Sequence, residues 1–534
     1  MRPSTSCPWP ECHVSQSGHE RRPYHAYVHA LCPKWPRLQP LDDFLNNGFH
    51  RNLPLGSPQP RIAVFRMSAQ GVILEGQFGE DELATFSMDL VDPLSCRLFL
   101  VEDLSPDIVE ILGTRFDIDP TFFAGHIWSL NWFSGRSSPA TAPLSHSTRR
   151  EQSFFQFRFQ EARPVNGVYD GRHRKVTRVQ SWNSNLFRKV LLMNLASTNR
   201  PIGFARRQVT IWMAPTNQDS WVGVCPTLLR ALTFLGIILL DPKVKFNPSS
   251  GLHWQQHEYT PQVHGPLSFS SYSLQGGNKI TVSQPHSDSI YDSLVHYYTH
   301  HMSSVESAMA MGDCFAAADH VVRIVVAEWL NFSHIMQCDL VNSDFLQESN
   351  RFENLSMGLS HIRMWRRRCN KHIEFLEQSM SFCVEGGPWS WTKSNEGKSV
   401  RDRRVEDFRE LLLIFERLKE QAEIELTNLL GMISVETGKL SVTEAQRIRL
   451  LTIAALVFLP QSLVATVLSM NGPFALDAEL RWVYWTVAIP LTILVLCAAF
   501  YKPNPWAPIP ETTSESLPVA EIDGKLPKSG LRYY

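Results

Sequence analysis

The chain has 534 residues, and its 51 Lys and Arg against 52 Asp and Glu leave a net charge of −1. That balance excludes the basic surplus of a nucleic-acid binder, and 43% hydrophobic with 19% charged residues excludes a disordered chain. A mean hydropathy slightly on the polar side excludes a protein of many membrane spans but leaves room for one or two.

Residues 1–60 are rich in Pro, His, Arg and Ser without periodicity and read as a disordered arm. The N-terminal stretch has no apolar h-region, so no secretory signal is expected. From Arg61 the character changes. RIAVF (61–65), CRLFLVE (96–102), SFFQFRF (153–159), QVTIWM (208–213) and SWVGV (220–224) are short apolar or alternating runs, which read as strands. Helical patterns lie between them at 106–116 and 119–128. The mixture predicts a cytosolic α/β domain over 61–285, interrupted by polar loops at 134–150 and 262–290. From 286 to 400 the apolar spacing becomes helical, and GGPWSWTKSNEG (386–397) breaks it. A stalk helix follows over 401–449. Its seam of Phe408, Leu412, Phe415, Ala422, Leu426, Leu429 and Ile433 needs a partner surface.

Two segments then stand out. Leu450–Met470 and Trp482–Tyr501 carry no charge over 21 and 20 residues, the length that a bilayer core of about 30 Å demands of a helix. Trp482, Tyr484 and Trp485 mark one interface and Phe500 and Tyr501 the other. The chain is thus expected to be α+β, with a helical stalk and a C-terminal two-helix hairpin: span 450–471, outer loop 472–481, span 482–501. A disordered tail (502–534) completes it. Arg447, Arg449 and Lys502 flank the spans on one side, which places both termini in the cytosol and the loop outside. Ten scattered cysteines without a C-x-x-C agree with a reducing compartment.

On the first span, Thr452, Ala455, Leu459, Ser462, Thr466 and Ser469 share one sector at 100° per residue. Polar residues in a span face a protein interior or a water-filled path; small hydroxyl residues also let helices pack closely, and the pattern by itself does not choose. Two helices cannot enclose a channel, so a pore requires several subunits.

LTIAALVFLPQSLVATVLSMN (451–471) and AELRWVYW (478–485) carry a resemblance to the CorA-type magnesium transporters. The first looks like that family's pore span, with its F-x-P turn and its Gly-Met-Asn signature. Here the signature reads Ser469-Met470-Asn471, a departure at the glycine. The resemblance implies a homopentameric funnel whose first span lines the pore and whose Asn471 holds a hydrated divalent cation at the outer mouth. Magnesium is the first expectation, with zinc, cobalt or nickel as others. No enzyme activity and no resident cofactor are expected. The expected partners are copies of the chain, the lipid bilayer and the cation, with no nucleic acid. A plasma membrane is expected before an organelle. Asp477 and Glu479 in the outer loop are expected to raise the local cation concentration or to be ordinary solvated acids. The rival reading is a non-conducting, membrane-anchored sensor or scaffold.

Other signals have plainer readings. Cys7, Cys12, His13, His19, His25, His29 and Cys32 fit no standard zinc spacing, and a loose arm is preferred. His296 and His300, at i and i+4, with His301, read as a helix surface. No phosphate-binding loop, dinucleotide fingerprint, nucleophile elbow or metalloprotease motif occurs.

Overall fold

The structure is a computed structural model and describes residues 22–47, 59–86, 95–127, 145–166, 177–180, 184–186, 188–194, 201–215, 234–247, 250–254, 289–347, 352–469 and 481–500. Its contacts divide the chain into a body, Met1–Ile433, and a second unit, Ser434–Tyr534.

The body is built on a mixed sheet of nine strands among the described residues. They are β1 (Arg61–Ser68), β2 (Gly71–Phe78), β3 (Cys96–Glu102), β4 (Phe154–Asn166), β5 (Thr177–Gln180), β6 (Lys189–Asn194), β7 (Pro201–Pro215), β8 (Phe234–Leu240) and β9 (His253–Trp254). The order is β2-β1-β3-β8-β7-β4-β9, with β6 also on β7 and β5 on β6. All pairs are antiparallel except β3 with β8. That pair sits centrally, and both strands are buried along their whole length; FLGIILL of β8 and Leu98–Val101 of β3 are apolar throughout, while Arg97 and Glu102 at the ends of β3 are paired with Glu75 and Arg61. SWVGV lies outside the described residues.

Alternation along the central strands sends side chains into two cores. Phe65, Met67, Leu98, Leu100, Ile238 and Leu240 point into the larger one. Val64, Phe99, Val101, Ile237 and Leu239 point into the smaller. The smaller core is covered by α1 (Pro23–Leu31), α2 (Gln39–Asn47), α4 (Pro106–Phe116) and α5 (Pro120–Ile127); α3 (Glu80–Thr85) and α6 (His146–Glu151) are short helices nearby in sequence.

Here the expectation of a disordered arm over 1–60 is corrected for 22–47. Tyr24, Val28 and Cys32 form an i, i+4, i+8 stripe that is buried with Leu38, Leu41, Phe44 and Leu45. Each such large apolar side chain stabilises by about 1.5–3 kcal/mol, enough to hold a Pro- and His-rich segment on the sheet. Tyr24 lies against Gly113, where a Cβ would meet its ring at 2.6 Å, and its hydroxyl donates to the Ile118 carbonyl at 2.7 Å. His25 and His29 both face the Asp42 carboxylate, at 3.1 Å each, and Cys7, Cys12, His13 and His19 lie outside the described residues.

The larger core is covered by α7 (Ile290–His296), a π turn (Tyr297–His301), α8 (Ser304–Gly312), α9 (Cys314–Gln347), α10 (Phe352–Glu385) and the first turns of α11 (Lys398–Ser469). α10 stops at Gly386 and Gly387, whose φ of 68° and 91° suit glycine alone; the Gly387 N–H caps the Phe382 carbonyl at 3.0 Å. The seam of α11 finds its partner surface within the chain. Phe408, Leu411, Phe415, Leu418, Ala422 and Leu429 are buried in this core, with the Phe415 ring 5.4 Å from that of Trp329. The seam therefore argues for intramolecular packing, not for association of copies.

Candidate functional site

α11 runs without a break from the body into the first apolar segment, and α12 (Arg481–Phe500) forms the second. Both are long and apolar enough to cross a membrane, and only 11% of each apolar window is buried. A hairpin folded into a soluble core would be mostly covered, so these helices meet a non-aqueous solvent.

Within this unit the two helices have distinct covered faces. On α11, Pro460 and Val464 are buried and Ile453, Leu456, Val457 and Gln461 half-buried; on α12, Ala488 and Thr492 are buried and Val483, Tyr484 and Leu491 half-buried. The Tyr484 hydroxyl reaches the Gln461 carbonyl at 3.5 Å. Pro460 removes one backbone donor but does not interrupt α11, as proline within a membrane helix allows.

The stripe lies on the other side. Thr452, Ala455, Leu459, Ser462 and Thr466 are all exposed in the single chain, turned away from the face that packs on α12. Ser469 ends the helix, and its side chain lies outside the described residues, as do Met470, Asn471, Asp477 and Glu479. Each described threonine of the two spans donates its hydroxyl hydrogen to its own backbone. Thr452 bonds the Ile448 carbonyl and Thr466 the Ser462 carbonyl, both at 2.8 Å. Thr486 and Thr492 do the same on α12. With their hydrogens spent in this way, the Thr452 and Thr466 oxygens serve as acceptors. Sequence reasoning passed over Thr486 and Thr492; a hydroxyl inside an uncharged span was the available signal.

In the body, acidic side chains are consumed by arginines. Arg163 lies 2.5 Å from Glu328 and 3.4 Å from Glu161. Arg207 holds Glu161 and Arg188 holds Asp241, each at 2.5 Å. Asp319 meets Arg404 at 2.8 Å, and Asp313 pairs with Arg401. Burial pushes the Asp319 carboxyl up, and Arg404 opposes the shift. Among the described residues no three His, Cys, Asp or Glu side chains form a ready metal shell.

Residues 359–501 match the family model described as CorA-like Mg2+ transporter protein, extending the sequence resemblance back from the hairpin into α10. No curated protein is significantly similar to the chain. The complete structure of the CorA magnesium transporter from Methanocaldococcus jannaschii is 8% identical and covers 82% of this chain and 96% of its own, with a TM-score of 0.35. The full-length CmaX protein is 10% identical and covers 84% and 98%, with a TM-score of 0.33. The assignment rests on the family match and on the two spans. The chain is an integral membrane protein whose residues 359–501 are similar to the CorA-like Mg2+ transporter family.

Proposed function

We propose that several copies of this chain surround an axis and form a path for divalent cations, magnesium first, with the Thr452–Thr466 face of α11 lining it. The observation that supports this most is the orientation of that face. It is turned away from α12, and its threonines give their hydroxyl hydrogens to the helix backbone, so that their oxygens act as acceptors. A hydrated Mg2+ keeps its water shell, and that shell offers hydrogens to acceptors. Five chains is the number the resemblance implies. Asn471 would hold the shell at the outer mouth, while Asp477 and Glu479 would concentrate cations there. Both termini would lie in the cytosol, in the plasma membrane, and no resident cofactor is proposed. The membrane potential would drive uptake, at about 2.3 kcal/mol per charge per 100 mV.

The test is divalent flux into liposomes carrying the purified chain. The unaltered protein should conduct Mg2+. Asn471→Ala should lose most of the flux while eluting as the same oligomer. An assembled Asn471→Ala protein that conducts normally would remove this residue from the mouth. Ser469, standing where the signature has glycine, favours the second reading, a non-conducting membrane-anchored sensor or scaffold. An unaltered chain that assembles but conducts nothing would establish that reading instead.

A further inference from the structure

The sequence VHYYTHH (295–301) places three histidines where α7 gives way to the π turn. On an ordinary α-helix, residues five apart point about 140° away from each other. The π turn, whose bonds run i to i+5, cancels that divergence. The Met302 N–H bonds the Tyr297 carbonyl at 3.0 Å, and His301 swings back over His296. Their Nε2 atoms are 3.0 Å apart, and the rings of His301 and His300 each lie 4.9 Å from that of His296. The pair that matters is therefore not the i, i+4 pair suggested by helical spacing.

The turn is pinned from below. Tyr297 and Tyr298 are buried; Tyr298 donates to the Ala317 carbonyl at 2.7 Å and Tyr297 stacks on His320. The imidazoles face outward from this anchor. His296 and His300 also line a cavity of about 350 Å³ shared with Gln77, Asp292 and Thr299. The Asp292 carboxylate on its wall is held through one oxygen by Arg61 at 2.7 Å and through the other by the Ser289 hydroxyl at 3.1 Å, which leaves imidazole as the dominant ligand chemistry.

We propose that His296 and His301 chelate a transition-metal divalent cation on the π turn, with water completing its shell. Two nitrogens 3.0 Å apart, each about 2.0–2.1 Å from an ion, subtend roughly 90°. That is the angle between adjacent ligands of an octahedral ion such as Ni2+. Imidazole selects nickel, copper or zinc, whereas Mg2+ prefers carboxylate, carbonyl and water. The site does not rest on the transport reading, and its test involves no flux.

The experiment is titration of the untagged, full-length chain in detergent with Ni2+, in the presence of millimolar Mg2+. The double variant His296→Gln/His301→Gln should lose one equivalent of bound Ni2+. Each single variant should weaken that equivalent by roughly tenfold or more, the scale on which even outer-shell losses act. Excess Mg2+ should not displace it. Identical isotherms for unaltered and double-variant protein, or displacement by Mg2+, would overturn the site. The unaltered chain loaded with one equivalent of Cu2+ gives a readout without substitution. Its electron paramagnetic resonance spectrum should show at least two coordinating imidazole nitrogens, and a spectrum without nitrogen coupling would equally refute the proposal.

Discussion

His126 is wholly buried between α5 and the sheet, its Nδ1 2.9 Å from the Thr210 hydroxyl and its Nε2 3.6 Å from Asp241. Burial pushes its pKa down to about 3; Asp241 opposes this and Arg188 adds to it. The folded value lies below the unfolded one, so the neutral ring stabilises fully above about pH 6.5. That stability drains away as the pH falls from there toward 3, at about 1.4 kcal/mol per pH unit. Thermal unfolding of the full chain in detergent should show this slope, and His126→Gln, which can still bond Thr210, should flatten it. An unchanged slope would place the acid sensitivity elsewhere, with buried His372, also held far below its usual pKa, next in line. Nothing in GHIW (125–128) announced such a residue. An exposed histidine, such as His300, is written with the same letter. Burial is a property of what the sheet brings opposite, and one sequence alone does not state it.

Helices were legible where their apolar spacing was regular, and α11 is the clearest case. Its seam is there, but its partner proved to be α9 and α10 of the same chain, because spacing shows that a face is apolar and not whose surface covers it. α1 escaped notice for the opposite reason: its stripe of Tyr24, Val28 and Cys32 is sparse and sits among prolines and histidines. Gly431 and Gly438 are the weak points of α11. A Cβ at either would meet nothing within 4 Å in the single chain, and alanine is favoured over glycine in a helix by about 0.8–1 kcal/mol. Gly431→Ala and Gly438→Ala should each raise the melting temperature in detergent. If alanine instead dissociates the assembly, these glycines are where another copy approaches closely.

For the molecule as a whole, the α+β body and the C-terminal hairpin were both readable, since unbroken apolar runs and uncharged segments of bilayer length are strong signals. Met470 and Asn471 are placed at an outer mouth by resemblance alone, and no periodicity could have assigned them that role. The proposed orientation makes a prediction of its own. Asn331 and Asn354 sit in glycosylation sequons, and both should be unmodified on mass spectrometry of protein from a eukaryotic host. Asn331 is half-buried on α9, with its amide directed at the Ala162 carbonyl. A glycan on either asparagine would place the body on the outer side and reverse the topology.

The inward-turned threonine hydroxyls also bear on how such an assembly is made. A newly synthesised chain meets lipid before it meets its copies, and an unsatisfied hydroxyl hydrogen in hydrocarbon would cost several kcal/mol. Thr452, Thr466, Thr486 and Thr492 bring their own acceptors, so a solitary hairpin can leave the insertion machinery without a chaperoning neighbour. Subunits of separate origin are then free to mix after insertion. If the proposed ring forms, then in a cell with two alleles a chain altered at Asn471 would enter most rings and silence them, and the loss would be inherited as a dominant trait.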